Sequence, residues 1–547
     1  MTDRWWKTAT GYQIWPRSFQ DSNGDGIGDI PGILSRLDHL SDLGVGFVWL
    51  SPVYASPMID MGYDIADYRD IAPEFGTLDD MDRLIAEAGA RGIRIVMDLV
   101  VNHCSDRHPW FRAALADPDA PESDYFIWRD PVDGGPPSEA QSYFGGSMWE
   151  WVPERGQYYL HQFAKEQPDL NWQNPALRAE IWEMMNWWFD RGIGGFRMDV
   201  IDLIGKDVDA GVFANGPDLF PFLAEMQREA LAGRDVLTVG ETWSVTPETA
   251  LDYCGAERGA LDMVFQFAHV VAGWDPVIGK WKPLPRDLTR LKRALFDWQR
   301  ATAEDGWTAL FLSNHDLPRQ VSKYGDDGEY RAQSAKALAT VLHLLRGTPF
   351  VYQGEEIGMT NMTFTTRVQF RDVEAIGLYP AAAARGVSEA AFIAGVNANG
   401  RDNARTPVQW TDGPGAGFSD GVPWIDVNPN ADEVNVAADR ADPDGVFAHY
   451  RDLIALRRTL PIVTDGRTVP ALEDHPRLFA YARELSGERL SVIANLSGEA
   501  VTVEVPEALE VTGSCLSTNR APVDRLSGTI TLGPWEATSV IGQIRGG

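Results

Sequence analysis

Four acidic residues stand out among the 79 Asp and Glu of this chain because each follows a separate short apolar run: Asp98, Asp199, Glu241 and Asp316. A carboxylate and a carboxylic acid about 5 to 5.5 Å apart, on either side of a glycosidic bond, cleave that bond with retention of configuration. Asp199 and Glu241 suit those two parts, as nucleophile and acid/base. Arg197, two residues before Asp199, points to the same side of an extended strand and is placed to hold the nucleophile ionised. Asp316, in Ser313-Asn314-His315-Asp316, adds a third acid able to grip sugar hydroxyls as the ring flattens toward an oxocarbenium ion. His103 and His315 supply donors for the same hydroxyls. Taken singly, a strand-end Asp is ordinarily a helix cap or loop ligand and an isolated His is ordinarily packing. The reading rests on their coincidence.

Such side chains need a scaffold that brings several chain segments to one place. Apolar runs at 46–51, 93–98, 195–199, 236–241, 261–266, 309–314 and 349–353 lack polar alternation, the pattern of strands buried on both faces. Between them lie helical stripes: Ile33, Leu37 and Leu40 before Gly44; Met81, Leu84 and Ile85 before Gly92; Ile181, Met184 and Trp188 before Gly192. This alternation predicts an α/β domain with a parallel sheet, either doubly wound or closed. A closed barrel draws reactive side chains from the C-terminal ends of many strands, whereas an open sheet concentrates them at one switch point. The expected fold is therefore a (β/α)8 TIM barrel. The aromatic, Pro- and Gly-rich stretch 103–172 shows no helical period and is expected to be a small domain inserted after the third strand. Barrel segments 1–102 and 173–469 flank it. A second excursion at 354–442 precedes a helical segment at 446–460, and 470–547 reads as a C-terminal antiparallel β-sandwich with turns at Ser486-Gly487 and Ser497-Gly498.

A net charge of −31 excludes nucleic acid and anionic membrane as partners and suits a neutral ligand such as a small oligosaccharide. Three widely spaced cysteines, Cys104, Cys254 and Cys515, imply neither a disulfide framework nor a metal knuckle. The opening residues Met1-Thr2-Asp3-Arg4 show no basic segment leading into an apolar core. The expectation is a cytoplasmic protein, monomeric or a small homo-oligomer.

Asp98-Leu-Val-Val-Asn102-His103, Gly195-Phe-Arg197-Met-Asp199, Gly240-Glu241-Thr-Trp243 and Ser313-Asn-His315-Asp316 resemble the four ordered signature regions of the α-amylase superfamily, glycoside hydrolase family 13. Gln167-Pro-Asp-Leu-Asn-Trp172 resembles the further motif of its oligo-1,6-glucosidase, dextran glucosidase and α-glucosidase subgroup. Segments 12–19, 62–68 and 401–407 extend the likeness over nearly the whole chain. The resemblance implies Asp199 as nucleophile, Glu241 as acid/base, Asp316 as transition-state stabiliser and Asp98 as support from behind. It also implies that Asp60 and Arg401 bind the terminal glucose and close the pocket, which makes the enzyme exo-acting, and that Tyr63 stacks on the ring. Phe144, Phe163, Gln167, Arg197, His103 and His315 match other residues around that glucose, although the two aromatics could equally pack the inserted domain.

Asp21-Ser-Asn23-Gly-Asp25-Gly-Ile27-Gly-Asp29 places oxygen ligands at alternate positions, as a Ca2+ loop does, although position twelve is Gly32 and not the Glu of an EF-hand. In the subgroup this loop holds a structural Ca2+ or Mg2+ through Asp21, Asn23, Asp25, the Ile27 carbonyl and Asp29. Val200, next to the nucleophile, accompanies α-1,6 preference in relatives, and Trp243, Lys280 and Glu374 resemble the residues that hold the acceptor glucose in dextran glucosidases. The implied activity is release of glucose from isomaltose, isomalto-oligosaccharides and panose. Leu317 and Phe220 depart from the subgroup pattern, which keeps open a broader glucosidase acting on α-1,4 bonds, sucrose or trehalose, or a transglycosylase. A sucrose isomerase fits less well, since 367–373 lacks the Arg/Asp-rich loop of those enzymes. A non-catalytic relative of the transporter heavy chains is disfavoured by the intact set of carboxylates and the absence of an apolar run of about 18 residues.

Overall fold

The computed structural model describes residues 4–256 and 259–544, so Met1, Thr2 and Asp3, read above for a targeting signal, lie outside it. Eight strands form one parallel sheet: β1 (Gly11–Ile14), β2 (Phe47–Leu50), β3 (Arg94–Leu99), β4 (Gly195–Met198), β5 (Leu237–Glu241), β6 (Met263–Phe265), β7 (Ala309–Leu310) and β8 (Thr348–Tyr352). Their order is β6-β5-β4-β3-β2-β1-β8-β7, and β6 returns beside β7 to complete a (β/α)8 barrel. That last seam is closed by side chains, with the Phe265 and Phe311 rings packed edge to face at 5.1 Å. Each strand leads to a helix on the outside, among them Leu78–Ala90, Pro175–Asp190, Leu288–Ala301, Arg331–His343 and Val446–Thr459.

Strand residues divide by parity, because successive side chains point to opposite faces. Phe47, Trp49, Val96, Leu237, Val239, Met263, Phe265 and Phe350 fill the barrel interior. Val48, Leu50, Ile95, Met97, Phe196, Met198 and Val351 face the helices. The inward set continues at the strand ends into Asp98, Arg197 and Glu241, which is why these polar groups converge. Gly195 lets β4 start close to its neighbour: its φ is 152°, and a Cβ there would lie 2.1 Å from the Leu237 carbonyl oxygen.

After β3 the chain builds a three-stranded sheet of Trp128–Arg129, Gln157–Leu160 and Trp149–Val152. It also forms a helix, Pro109–Ala116, in the stretch expected to have no helical period. Pro109 at the first helical position and the His108 ring, which accepts from the Trp110 amide, start this eight-residue element, too short to show a repeat. The excursion at 354–442 carries helices too, the two longest being Val373–Ala384 and Glu389–Asn399.

The C-terminal sheet comprises β9 (Arg467–Ala471), β10 (Leu478–Leu485), β11 (Glu488–Asn495), β12 (Ser514–Thr518) and β13 (Ala537–Gln543), antiparallel in the order β9-β10-β11-β13-β12. It thus begins ahead of residue 470. Ser486 and Gly487, both at positive φ, make a two-residue hairpin turn between β10 and β11. Alternation again sorts the faces: Ala480, Ala482 and Ile493 pack under the short strand pairs 501–504/529–532 and 511–512/525–526, while Phe479, Tyr481 and Val492 join the barrel core.

The junction between sheet and barrel relies on buried cations that bind main-chain carbonyls. Lys292 Nζ donates to the carbonyls of Leu472, His475 and Leu478 at 2.6, 2.7 and 2.9 Å. Arg483 donates to Leu344 and Val463 at 2.8 Å and to Gly466 at 2.5 Å, and Arg457 donates to His343 and Gly347. Cations at helix C-termini satisfy carbonyls that the helix leaves unpaired. Replacing Lys292→Met should lower stability by about 2–3 kcal/mol, because three buried carbonyls lose their donor. A lower urea midpoint, with a far-UV circular dichroism spectrum unchanged before unfolding, is the expected result.

Candidate active site

The pairing register assembles the centre of the site. Asp98 on β3 lies opposite Arg197 on β4, and Val239 on β5 lies opposite Arg197 from the other side, so Glu241 sits one inward step higher. Arg197 is 1% exposed; its Nη1 donates to Asp98 Oδ1 and Asp199 Oδ1, both at 2.8 Å, and its Nη2 to Glu241 Oε2. One guanidinium therefore faces three buried carboxyl groups. Sequence reasoning gives Arg197 the task of keeping Asp199 ionised, but the sharing limits it. Burial, with the nearby Glu241 and Asp98, drives the Asp199 carboxyl well above the usual range against the pull of Arg197. Burial likewise raises Asp98 to about 6, opposed by Arg197. Protons in such a cluster belong to the group as a whole. Asp98 is held further by the Trp49 indole and the Tyr63 hydroxyl, each at 3.0 Å.

Val200 follows Asp199 in a left-handed conformation, φ 35° and ψ 44°, costly for a β-branched residue. The conformation aims its amide at Glu241 Oε2, 3.2 Å away. The other Glu241 oxygen accepts from the Trp243 indole at 2.9 Å.

The inner end of the site is an ion-pair lattice. Arg401 reaches Asp60 Oδ1 at 3.0 Å, Asp372 Oδ1 at 2.6 Å and Asp316 Oδ1 at 3.3 Å; Arg405 reaches Asp316 Oδ1 at 2.8 Å. Burial lifts Asp60 to about 6, against the two arginines. For Asp316 burial works the same way but is outweighed, and its carboxyl is held far below the usual range by His315, Arg401 and Arg405. Because burial also holds His315 neutral, we assign the effect on Asp316 to the guanidiniums. His315 stacks between Trp15 at 5.2 Å and Tyr63 at 5.3 Å, with Gln13 and the Tyr63 hydroxyl each 2.7 Å from a ring nitrogen. His103, lowered to about 4 by burial, meets the Gln167 amide at 3.2 Å, and that amide also reaches Asp60 Oδ2 at 3.3 Å.

A cavity of about 310 Å3 opens above these groups. Asp60, Tyr63, His103, Asp199, Glu241, Asp316 and Arg401 face it, with Phe144 and Phe163 on one wall. Val200, Trp243, Lys280 and Glu374 also line it, and Lys280 pairs with Glu374 at 2.5 Å. Asp98, Arg197, Gln167 and His315 stand behind the wall rather than in it. Phe144 and Phe163 pack on each other at 5.4 Å and Phe163 on His103 at 5.1 Å, so they serve both domain packing and the cavity. Leu317 lines the cavity, whereas Phe220 packs on Tyr253 away from it. Sequence reasoning missed Tyr143, Asp202, Leu203 and Trp274 on the wall and Asp372 and Arg405 behind it. Arg405 lies within the 401–407 motif and was within reach; nothing local marks the others.

In the 21–29 loop the carboxylates fold back on their own chain. Asp21 Oδ1 accepts from the Asn23 and Gly24 amides and Oδ2 from the Gly26 amide and the Ser419 hydroxyl; Asp29 Oδ2 accepts from Ser22. Asn23 and Asp25 each keep free acceptor capacity. Among the described residues no three His, Cys, Asp or Glu side chains converge as a metal cage. All the side-chain donors are nevertheless hard oxygens, the type Ca2+ and Mg2+ select.

Comparison with known proteins agrees with this geometry. Residues 13–466 match the alpha amylase catalytic domain, and residues 478–541 match the alpha-amylase SusG C-terminal domain. The chain is 52% identical to a palatinase of Erwinia rhapontici over 98% of each chain. It is 47% identical to an oligo-1,6-glucosidase of Halalkalibacterium halodurans over 99% of this chain and all of that one. A trehalose-6-phosphate hydrolase structure from Bacillus licheniformis superposes with a TM-score of 0.94 at 42% identity, covering 98% of this chain and 99% of that one. The chain belongs to the α-amylase family of glycoside hydrolases.

Just past β8, Glu355 accepts from the Ser313 hydroxyl and is raised to about 8 by burial, with Glu356 adding to the rise. A carboxyl whose folded pKa exceeds its unfolded value contributes stability that is present below the unfolded pKa and lost as pH rises through the folded one. Glu355→Gln keeps the shape and carries no charge. It should melt close to the unaltered protein at pH 4.5 and higher than it at pH 8 to 9; thermal scans at both pH values check this.

Proposed function

We propose that the protein is an exo-acting retaining α-glucosidase that releases glucose from the non-reducing end of short α-1,6-linked glucans. The observation that carries this reading is the cavity itself. Its inner end is sealed by the Asp60–Arg401 pair, and the Asp199 and Glu241 carboxyls meet on one guanidinium beside that end. A sealed end admits one terminal sugar. Asp199 attacks the anomeric carbon while Glu241 protonates the departing oxygen; Glu241 then takes a proton from water, whose oxygen displaces Asp199 from the glycosyl ester. Asp316, ionised by its arginines, grips the hydroxyls of that sugar. Asp98, behind Arg197, fixes the guanidinium.

The linkage reading is supported by Val200 beside the bond to be cut, by Trp243, Lys280 and Glu374 at the mouth, and by the relative named for oligo-1,6-glucosidase activity. The alternative of a broader glucosidase draws on the apolar Leu317 at the wall and on the neighbouring structure named as a trehalose-6-phosphate hydrolase. We place the enzyme in the cytoplasm, a setting suited to its free Cys104, Cys254 and Cys515. No helix among the described residues is long and apolar enough to cross a membrane.

Initial rates on isomaltose, isomaltotriose and panose beside maltose, sucrose and trehalose test the proposal. The α-1,6 substrates should lead in kcat/KM, and Asp199→Asn should lose at least about 10³-fold. Maltose or sucrose in the lead would refute the linkage and leave the nucleophile standing.

A structural Ca2+ or Mg2+ at the 21–29 loop, held through Asp21, Asn23, Asp25, the Ile27 carbonyl and Asp29, belongs to the same proposal. Its role is to join the loop after β1 to the segment around Ser419. Chelation with EDTA should lower the melting temperature and added Ca2+ should restore it; identical melting curves with and without chelator would refute a bound ion.

A further inference from the structure

Trp243, 41% exposed, rises from the acid/base carboxyl to the mouth of the cavity and stacks on Phe267 at 3.8 Å, with 10° between the planes. Beyond it stands a second indole. Trp274 lies 6.0 Å from Trp243 with 30° between the planes, lines the cavity and remains partly exposed. It belongs to a hairpin, Trp274–Asp275 paired with Gly279–Pro283, that also delivers Lys280 to the wall. Two cavity-lining residues thus share one small element after β6.

That element is rigid for its size. Asp275 Oδ1 accepts from the Val277 and Ile278 amides at 2.9 and 3.0 Å, and Oδ2 pairs with Lys282 at 2.8 Å. Its far side is clamped to the helix Glu389–Asn399: Trp281 packs on Phe392 at 5.0 Å, and Gly395 lies so close that a Cβ would meet the Trp281 carbonyl oxygen at 2.1 Å. On the near side the Lys280–Glu374 pair ties it to the rim. A partly exposed indole, held on a braced hairpin at the mouth of a cavity, is the kind of flat apolar surface on which a sugar ring packs.

We infer that Trp274 is the stacking platform of an outer acceptor subsite, one sugar beyond the unit held by Trp243, Lys280 and Glu374, and that it selects chains of three or more units. The inference rests on the glucosidase reading above. A disaccharide fills the sealed end and the first acceptor position and does not reach Trp274. The third unit of a trisaccharide does.

The test compares isomaltotriose with isomaltose for the unaltered enzyme, Trp274→Ala and Trp274→Phe. Trp274→Ala should leave isomaltose within about twofold and lose about tenfold in kcat/KM on isomaltotriose through KM, with kcat unchanged. Trp274→Phe, which keeps a flat face, should recover most of that loss, and its melting curve guards against simple unfolding. Equal losses on both substrates, or no change on either, would overturn the inference. If the unaltered enzyme prefers α-1,4 bonds, the linkage proposal fails separately, and maltotriose against maltose reads the platform in the same way.

Discussion

The geometry of the site depends on one buried guanidinium. Arg197 faces Asp98, Asp199 and Glu241 together. In a low-dielectric interior one cation does not offset the burial and mutual repulsion of its acids, and the Asp98 and Asp199 carboxyls are pushed above the usual range. The arrangement exists only because β3, β4 and β5 are neighbours in register. A slip of one residue in any of these pairings would turn the inward groups outward. The left-handed Val200 is part of the same constraint, since it turns the chain sharply after Asp199 and adds an amide to Glu241.

A second balance governs the inner end of the cavity. Asp60, Asp316, Asp372 and Glu374 are interleaved with Arg401, Arg405 and Lys280, so opposite charges alternate and no side chain is left alone. Such a lattice presents many fixed hydrogen-bonding groups with little net field. That suits a neutral ligand covered in hydroxyls. Its members come from the loop after β2, the hairpin after β6, the segment after β7 and the excursion after β8, regions that no local pattern joins.

The sequence disclosed what depends on local periodicity and strand ends. Unalternated apolar runs marked seven strands of the barrel and placed Asp98, Asp199 and Glu241 at its mouth, while the short β1 was visible only through its resemblance. The helix Pro109–Ala116 escaped notice because its two turns show no repeat, and β9 because Val469-Pro470 within it reads as a break. Asp372 and Trp274 were illegible for a different reason: their roles are set by partners some thirty residues away, Arg401 and Trp243, and no spacing rule reaches across a fold. Tyr63 spends its hydroxyl on Asp98 and His315, and Arg197 divides its charge among three acids.

The cations at the barrel's C-terminal junction address main-chain oxygens rather than side chains. Six of the residues they bind, Leu344, Val463, Gly466, Leu472, His475 and Leu478, contribute a carbonyl that any residue would supply. Constraint on that interface therefore falls unevenly: the bound positions answer to backbone path and to their own packing but not to this recognition, while Lys292 and Arg483 are fixed by it. Two enzymes built this way could share a domain junction that no alignment of the contacted residues would reveal.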